Sequence, residues 1–238
     1  MNEPTNAGEQ ARPANGRWVV LDVGETLVDE TRAFSVWADV LGIPRFTLMA
    51  VLGGTVAADA SGVWHDFFRV LGIEDWRSRA AEVEARFGGL QPVDLYPDAL
   101  PTIDRLRHLG YGIAVVANQP ARRHAELEAA GVRADVMAMS EALGVAKPDA
   151  AFFERVLEMI GSPSPADVAY VGDRIDNDVL PSAAAGMRPV WIRRGPWGYL
   201  QRDELGSAVL EVRSLDELAE RIDEAWPAIS LPDAARRR

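Results

Sequence analysis

The sequence predicts an α/β protein, a parallel doubly wound sheet with a helical insertion after its first strand. Three short apolar runs, Trp18-Val19-Val20-Leu21, Ile113-Ala114-Val115-Val116 and Val168-Ala169-Tyr170-Val171, fit strands buried on both faces. Amphipathic helical patterns alternate with them, and such alternation is the mark of a parallel sheet. From residue 31 to about 93 that rhythm breaks, because the stretch offers several helical patterns and no convincing buried strand.

Along the chain, residues 1–16 are polar, carry Pro4 and Pro13 and lack the apolar block of a signal peptide, so a floppy extension is expected. The first strand ends directly at Asp22. In the insertion, Phe34, Trp37 and Leu41 share a helical face before Gly42 and Pro44, and Val63, Phe67, Val70 and Leu71 share another before Gly72. Gly53-Gly54 is expected to mark a turn between two of these helices. Residues 98–109 place Leu100, Ile103 and Leu106 on one side of a helix stopped by Gly110. The next strand ends at Ala117-Asn118. Residues 149–160 space Phe152, Phe153, Val156, Leu157 and Ile160 helically before Gly161, and the strand after them ends at Gly172-Asp173. Pro189-Val190-Trp191-Ile192 suggests a further strand and Val209-Leu210 another. Ser214 with Glu217 makes a capping box for a final helix carrying Leu215, Leu218 and Ile222. The resulting division is a tail at 1–16, a sheet core at 17–30 and 93–226, a helical cap at 31–92 and a tail at 227–238.

With 238 residues, 48% of them hydrophobic, the chain can build a sizeable core. A net charge of −11 argues against a nucleic-acid or anionic-membrane partner, both of which need clustered positive charge. The terminal Arg236-Arg237-Arg238 run is read as a solvated tail. The absence of cysteine excludes disulfides, a thiolate nucleophile and cysteine-ligated zinc. No apolar run approaches the roughly 20 residues of a membrane span, and the expectation is a cytoplasmic protein.

Doubly wound sheets bind ligands beyond the carboxyl ends of their strands, where this chain puts Asp22, Asn118 and Asp173. Its 25 Lys+Arg residues include one lysine, Lys147, in Gly-Val-Ala-Lys-Pro-Asp just upstream of the strand that ends at Gly172-Asp173. A lone lysine among arginines suggests a site that needs a compact ammonium rather than a planar fork.

Asp22 with Thr26, the strand-end Asn118, Lys147-Pro148 and Gly172-Asp173-Arg174-Ile175-Asp176-Asn177-Asp178 together resemble the haloacid dehalogenase-like hydrolase superfamily. The individual motifs are short, but their order and placement at strand ends make the set specific. The resemblance implies a Rossmann-like core, a type-1 helical cap, and Mg²⁺-dependent phosphatase chemistry through an aspartyl-phosphate on a small phosphorylated substrate. By this resemblance Asp22 is the nucleophile, and Asp22, Asp173, Asp178 and the backbone carbonyl of Gly24 hold the metal. Asp178 serves either as a ligand or as an anchor for metal-bound water. Lys147 balances charge between nucleophile and phosphate, Thr26 holds the loop or a phosphate oxygen, the backbone N–H of Asn118 cradles another, and Ala117 borders the phosphate. Elementary electrostatics agrees, because a carboxylate attacks a phosphoryl group only where their mutual repulsion is offset.

Two positions depart from that family pattern. Its phosphatases read Asp-x-Asp-x-Thr, whereas this chain reads Asp22-Val23-Gly24-Glu25-Thr26 and so lacks the second aspartate. That residue protonates the leaving oxygen and then activates water, a role worth roughly 10²- to 10⁴-fold in rate. Ala117 stands where a Ser or Thr hydroxyl is expected before Asn118. Three functions fit these departures: a phosphohydrolase that accepts good leaving groups or borrows an acid from Glu25, Asp29, His65 or Asp66; a 2-haloacid dehalogenase, whose departing halide needs no proton; or a catalytically weak relative that binds a phospho-ligand or a protein. Intact Asp173 and Asp178 weigh against the dehalogenase. The cap aromatics Phe34, Trp37, Trp64, Phe67 and Phe68 serve as core or line the pocket.

Overall fold

A computed structural model describes residues 13–58, 63–202, 205 and 209–226, with the side chains of all but 63–66. Six strands form one parallel sheet: β1 (Trp18–Leu21), β2 (Gly112–Ala117), β3 (Val136–Met139), β4 (Val168–Gly172), β5 (Arg188–Ile192) and β6 (Leu210–Val212), in the order β3-β2-β1-β4-β5-β6. β1 lies between β2 and β4, with Leu21 beside Val115 and Val171. The chain moves outward one way from β1 and then returns to its other side, so a crevice opens at the carboxyl ends of β1 and β4.

The apolar runs form strands because alternate residues bury in two separate cores. Val19, Leu21, Ile113, Val115 and Ala117 face one cluster; Trp18, Val20, Ala114, Val116 and Tyr170 face the other. Between β1 and β2 the chain builds four helices, α1 (Thr31–Leu41), α2 (Arg45–Ala58), α3 (Val63–Val70) and α4 (Trp76–Phe87), which pack round Phe34, Leu48, Leu52, Phe67 and Phe68. The remaining helices are α5 (Ala99–His108), α6 (Arg123–Ala129), α7 (Ser140–Leu143), α8 (Ala150–Met159), α9 (Leu180–Ala184), α10 (Gly195–Leu200) and α11 (Leu215–Arg221). A π-helical turn, Ile175–Val179, follows β4. Among the described residues no single helix is long and apolar enough to cross a membrane.

Several sequence expectations require correction. Gly53-Gly54 makes no turn, since α2 runs through both. A Cβ at Gly53 would meet Leu200 of α10 at 3.4 Å, an ordinary contact, and one at Gly54 would meet nothing, so neither position requires glycine for a turn or a close approach. Val70 is 62% exposed, whereas Phe67 and Phe68 are buried and Leu71 packs beside them; the apolar face of α3 is rotated from the one expected. β3 was not anticipated, because Val136-Met137-Ala138-Met139 is an only partly buried edge strand with no flanking turn signature. Residues 13–16 are not a loose tail: Asn15 donates its N–H to the Gly110 carbonyl at 3.2 Å and Gly16 closes a turn onto Pro13. Residues 1–12 and 227–238, which hold the rest of the expected tails, lie outside the described residues. The Ser214 cap forms, its hydroxyl accepting the Glu217 N–H at 3.0 Å.

Candidate active site

Asp22 leaves the end of β1 with its N–H donated to Val171 of β4 at 2.9 Å, which prolongs the ladder and fixes the carboxylate at the crevice mouth. Asp173 leaves β4 beside it. Asp178 folds back from the π-helical turn over Gly172, where any Cβ would lie 2.2 Å from the Asp178 Cγ, so only glycine fits. One oxygen from each of Asp22, Asp173 and Asp178 lies within 4.8 Å of the others.

Lys147 reaches this cluster from the loop before α8, with its side chain 2% exposed. Its Nζ lies 2.8 Å from Asp22 Oδ1 and 2.6 Å from Asp178 Oδ1. Burial works against the ammonium, but Asp178 and Asp22 outweigh it and hold its pKa well above the ordinary lysine value. Asn118 positions this loop: its side-chain amide donates to the Lys147 carbonyl at 2.9 Å and accepts the Lys147 N–H at 2.8 Å. The other Asp178 oxygen accepts the Arg174 N–H at 3.0 Å.

Burial raises the Asp173 carboxyl well above its ordinary range, and the neighbouring Asp178 and Asp22 add to the effect. Asp178 is pushed up to about 6 by burial, with Lys147 opposing. Asp173 Oδ2 is buried without a hydrogen-bond partner, which is costly unless a ligand satisfies it. Hard oxygen donors set this close, one of them unsatisfied, suit a small divalent cation such as Mg²⁺.

These groups open into a cleft of about 570 Å³ between sheet and cap. Asn118, Lys147 and Asp173 line its sheet side, and Phe34, Trp37 and Phe87 its cap side. Thr26 and Ala117 do not line it. Thr26 is fully buried because the N–H groups of Thr26, Leu27 and Val28 all turn back onto the Val23 carbonyl. Ala117 points into the core with Ile113 and Val115. Phe67 and Phe68 are cap core, while Phe34 and Trp37 are both core and cleft wall.

Two of the acids considered for the missing proton donor have other work. Glu25 accepts the Glu30 N–H at 3.0 Å and the Tyr96 hydroxyl at 2.6 Å, one on each oxygen. Asp29 caps the start of α1 by accepting the Thr31 N–H at 2.8 Å. The side chains of Trp64, His65 and Asp66 lie outside the described residues. Sequence reasoning passed over Glu30, which the structure places in the cleft. Burial pushes its carboxyl up to about 8, with Glu25 and Asp22 adding to the effect. Its only sequence signal was an acidic residue at the threshold of the insertion.

Residues 17–186 match the haloacid dehalogenase-like hydrolase family. The chain belongs to that family. Its helical insertion between β1 and β2 is consistent with the type-1 cap. Among curated relatives, this haloacid dehalogenase-like hydrolase is 33% identical over 117 residues to a glyceraldehyde 3-phosphate phosphatase of Methanopyrus kandleri, covering 48% of each chain. It is 28% identical over 173 residues to a phosphoserine phosphatase of Thermus thermophilus, covering 68% of this chain and 69% of that one. The match thus spans about half the length of the first relative and about two thirds of the second. The fold is also that of a putative hydrolase of the same superfamily from Bacillus subtilis, solved bound to magnesium. The two agree with a TM-score of 0.67 at 19% identity over 87% of this chain and 98% of that one.

Proposed function

We propose that the chain is a Mg²⁺-dependent phosphohydrolase of a small phosphorylated molecule, with Asp22 as the nucleophile. The observation that carries this reading is the position of Lys147, whose buried ammonium touches both Asp22 and Asp178 at the floor of a cleft that also holds Asp173. Three ionised carboxylates against one ammonium leave two negative charges, which one divalent cation cancels. Halide displacement has no need of such a cluster. The curated relatives, phosphatases of a triose phosphate and of phosphoserine, support a small phosphate monoester as substrate.

Asp22, Asp173 and Asp178 would hold the ion, with the Gly24 carbonyl as a further oxygen. When bound, Mg²⁺ would polarise the phosphoryl group and offset its repulsion of an attacking carboxylate. Asp22 forms a bond to phosphorus as the ester oxygen leaves, and water then hydrolyses the aspartyl-phosphate. Lys147 orients Asp22 and sets a compact positive charge beside the phosphoryl oxygens. Asp178 and Asn118 act through Lys147, the first by holding its ammonium and the second its backbone. Phe34 and Trp37 of the cap wall the cleft, and closure of the cap would exclude water during transfer.

The test is hydrolysis of an aryl phosphate, an alkyl phosphate and a 2-haloacid with and without Mg²⁺, using the wild type and Asp22→Asn. The expected result is metal-dependent phosphate release that Asp22→Asn abolishes. Metal-independent halide release, or no turnover in any arm, overturns the reading.

A further inference from the structure

We propose that Glu30 is the catalytic acid and base of this site, delivering from the threshold of α1 the proton transfer that the first motif lacks. The proposal rests on the phosphohydrolase reading and adds to it the group that a poor leaving alcohol requires.

An alkoxide leaves phosphorus slowly unless it is protonated as the bond breaks. Among the described residues that line the cleft, the other candidate donors are engaged. Asp22 and Lys147 are paired with each other, and both Glu25 oxygens accept hydrogen bonds. Glu84 pairs with Arg122, and Asp173 belongs to the carboxylate triad. The guanidinium groups of Arg123 and Arg174 do not give up a proton in this range. Glu30 remains.

Its position is the stronger argument. A Cβ built on Gly24 would lie 2.9 Å from Glu30 Oε1, 3.1 Å from Cδ and 3.4 Å from Oε2. The Glu30 carboxyl therefore sits where a side chain two residues after the nucleophile would project. Gly24 is the residue that leaves room for it. Glu25 Oε1 accepts the Glu30 backbone N–H at 3.0 Å and so fixes the main chain from which the carboxyl projects, and the Gln119 side chain lines the same cleft from beyond β2. Arg123 holds Gln119 in turn, its Nε donating to Gln119 Oε1 at 3.3 Å. A loss in the first motif and a gain six residues later are thus one structural exchange.

The proton balance closes over two steps. In the first, the Asp22 carboxylate bonds to phosphorus, the bond from phosphorus to the ester oxygen breaks, and Glu30 gives that oxygen its proton. In the second, Glu30 as carboxylate takes a proton from water as the water oxygen bonds to phosphorus. The bond from phosphorus to Asp22 breaks, releasing inorganic phosphate and regenerating both acids in their starting forms.

The experiment compares the wild type, Glu30→Gln, Glu30→Ala and the exchange variant Gly24→Asp/Glu30→Ala in Mg²⁺, with 4-nitrophenyl phosphate and with an alkyl phosphate. On the alkyl phosphate, kcat of both single variants is expected to fall by roughly 10²- to 10⁴-fold. On 4-nitrophenyl phosphate, whose leaving group needs no proton, Glu30→Gln should release one equivalent of nitrophenol in a burst. It should then stall as phosphorylated Asp22, visible by mass spectrometry. The exchange variant should recover at least tenfold over Glu30→Ala. If the single variants do not fold, the exchange variant decides: turnover supports the proposal, and a folded but inert protein overturns it. A folded Glu30→Gln with wild-type kcat on the alkyl phosphate overturns the role of Glu30 and leaves the phosphohydrolase reading intact. A wild type inert on both esters overturns that reading and the role of Glu30 with it.

Discussion

Arg32 forks onto Asp94, with Nε 2.7 Å from Oδ1 and Nη2 2.5 Å from Oδ2, and so ties the chain entering the cap to the chain leaving it. The same guanidinium donates to the carbonyls of Phe87 and Gly89, each at 2.6 Å, and stacks 4.0 Å over the Phe87 ring. The two linkers of the insertion are therefore held as one strap, with Asp94 buried beneath it.

Arg32→Ala leaves the buried Asp94 without its partner and is expected to cost about 2–4 kcal/mol, measured by urea unfolding at neutral pH. Arg32→Lys should recover only part of this, because an ammonium cannot make the two-pronged contact. Burial raises the Asp94 carboxyl, but the Arg32 and Gln91 hydrogen bonds outweigh it and leave the pKa below the usual aspartate value. A carboxyl depressed on folding stabilises above its unfolded value of 3.8 and ceases to do so as pH falls through the folded value. The gap between wild type and Arg32→Ala should accordingly narrow below about pH 4.

Lys147→Met removes the buried ammonium from a cluster of three buried carboxylates. In the metal-free protein the expected loss is about 3–5 kcal/mol. Added Mg²⁺ should return a larger share of that stability in Lys147→Met than it contributes to the wild type. Thermal melts of both proteins with and without the ion check this.

Mg²⁺ should itself raise the wild-type Tm, by roughly 5–10 °C when the ion is present at about 100 times its Kd. Asp173→Asn, which changes the carboxylate whose outer oxygen is buried without a partner, should abolish most of that rise. Isothermal titration of the two proteins with MgCl₂ provides a second measurement.

Glu30 is held near 8 against an ordinary value of 4.5, so the folded metal-free protein binds a proton more tightly there than the unfolded chain does. That contribution is fully present below pH 4.5 and is lost as pH rises towards 8. Glu30→Gln, which cannot ionise, should therefore be more stable than the wild type at pH 9, by on the order of 1–2 kcal/mol after allowance for its partial exposure. The two Tm curves should converge at pH 5.

The parts of the site that lie at strand ends were legible as residues, because a strand buried on both faces announces itself as an unbroken apolar run and the first polar residue after it has one place to go. Asp22, Asn118 and Asp173 follow that rule. Lys147 was legible through its rarity, and Asp178 through the resemblance of the Gly172–Asp178 motif to the family's. Glu30 was not, since nothing in six residues of sequence separation tells that α1 begins with its carboxyl turned back over Gly24. The orientations of Thr26 and Ala117 were hidden, because Thr26 is buried by the turn that folds onto the Val23 carbonyl and Ala117, the last residue of β2, faces the core; the side-chain contacts of Asn118 to Lys147 were hidden too, since they join loops 29 residues apart.

The cap shows the same division. Its helical character was plain from the spacing of Phe34, Trp37 and Leu41, but the continuity of α2 through Gly53-Gly54 was not, because a glycine pair reads locally as a turn. The sequence by itself determined the α/β class, the insertion and the acids at the strand ends, because those follow from local periodicity and from residue chemistry, and the order of its short motifs carried the resemblance to the family. Only the tertiary structure decided that Glu30 takes the room beside Gly24 and that Arg32 straps the cap to the core. Each depends on two segments meeting in space, and no local pattern encodes the distance between them.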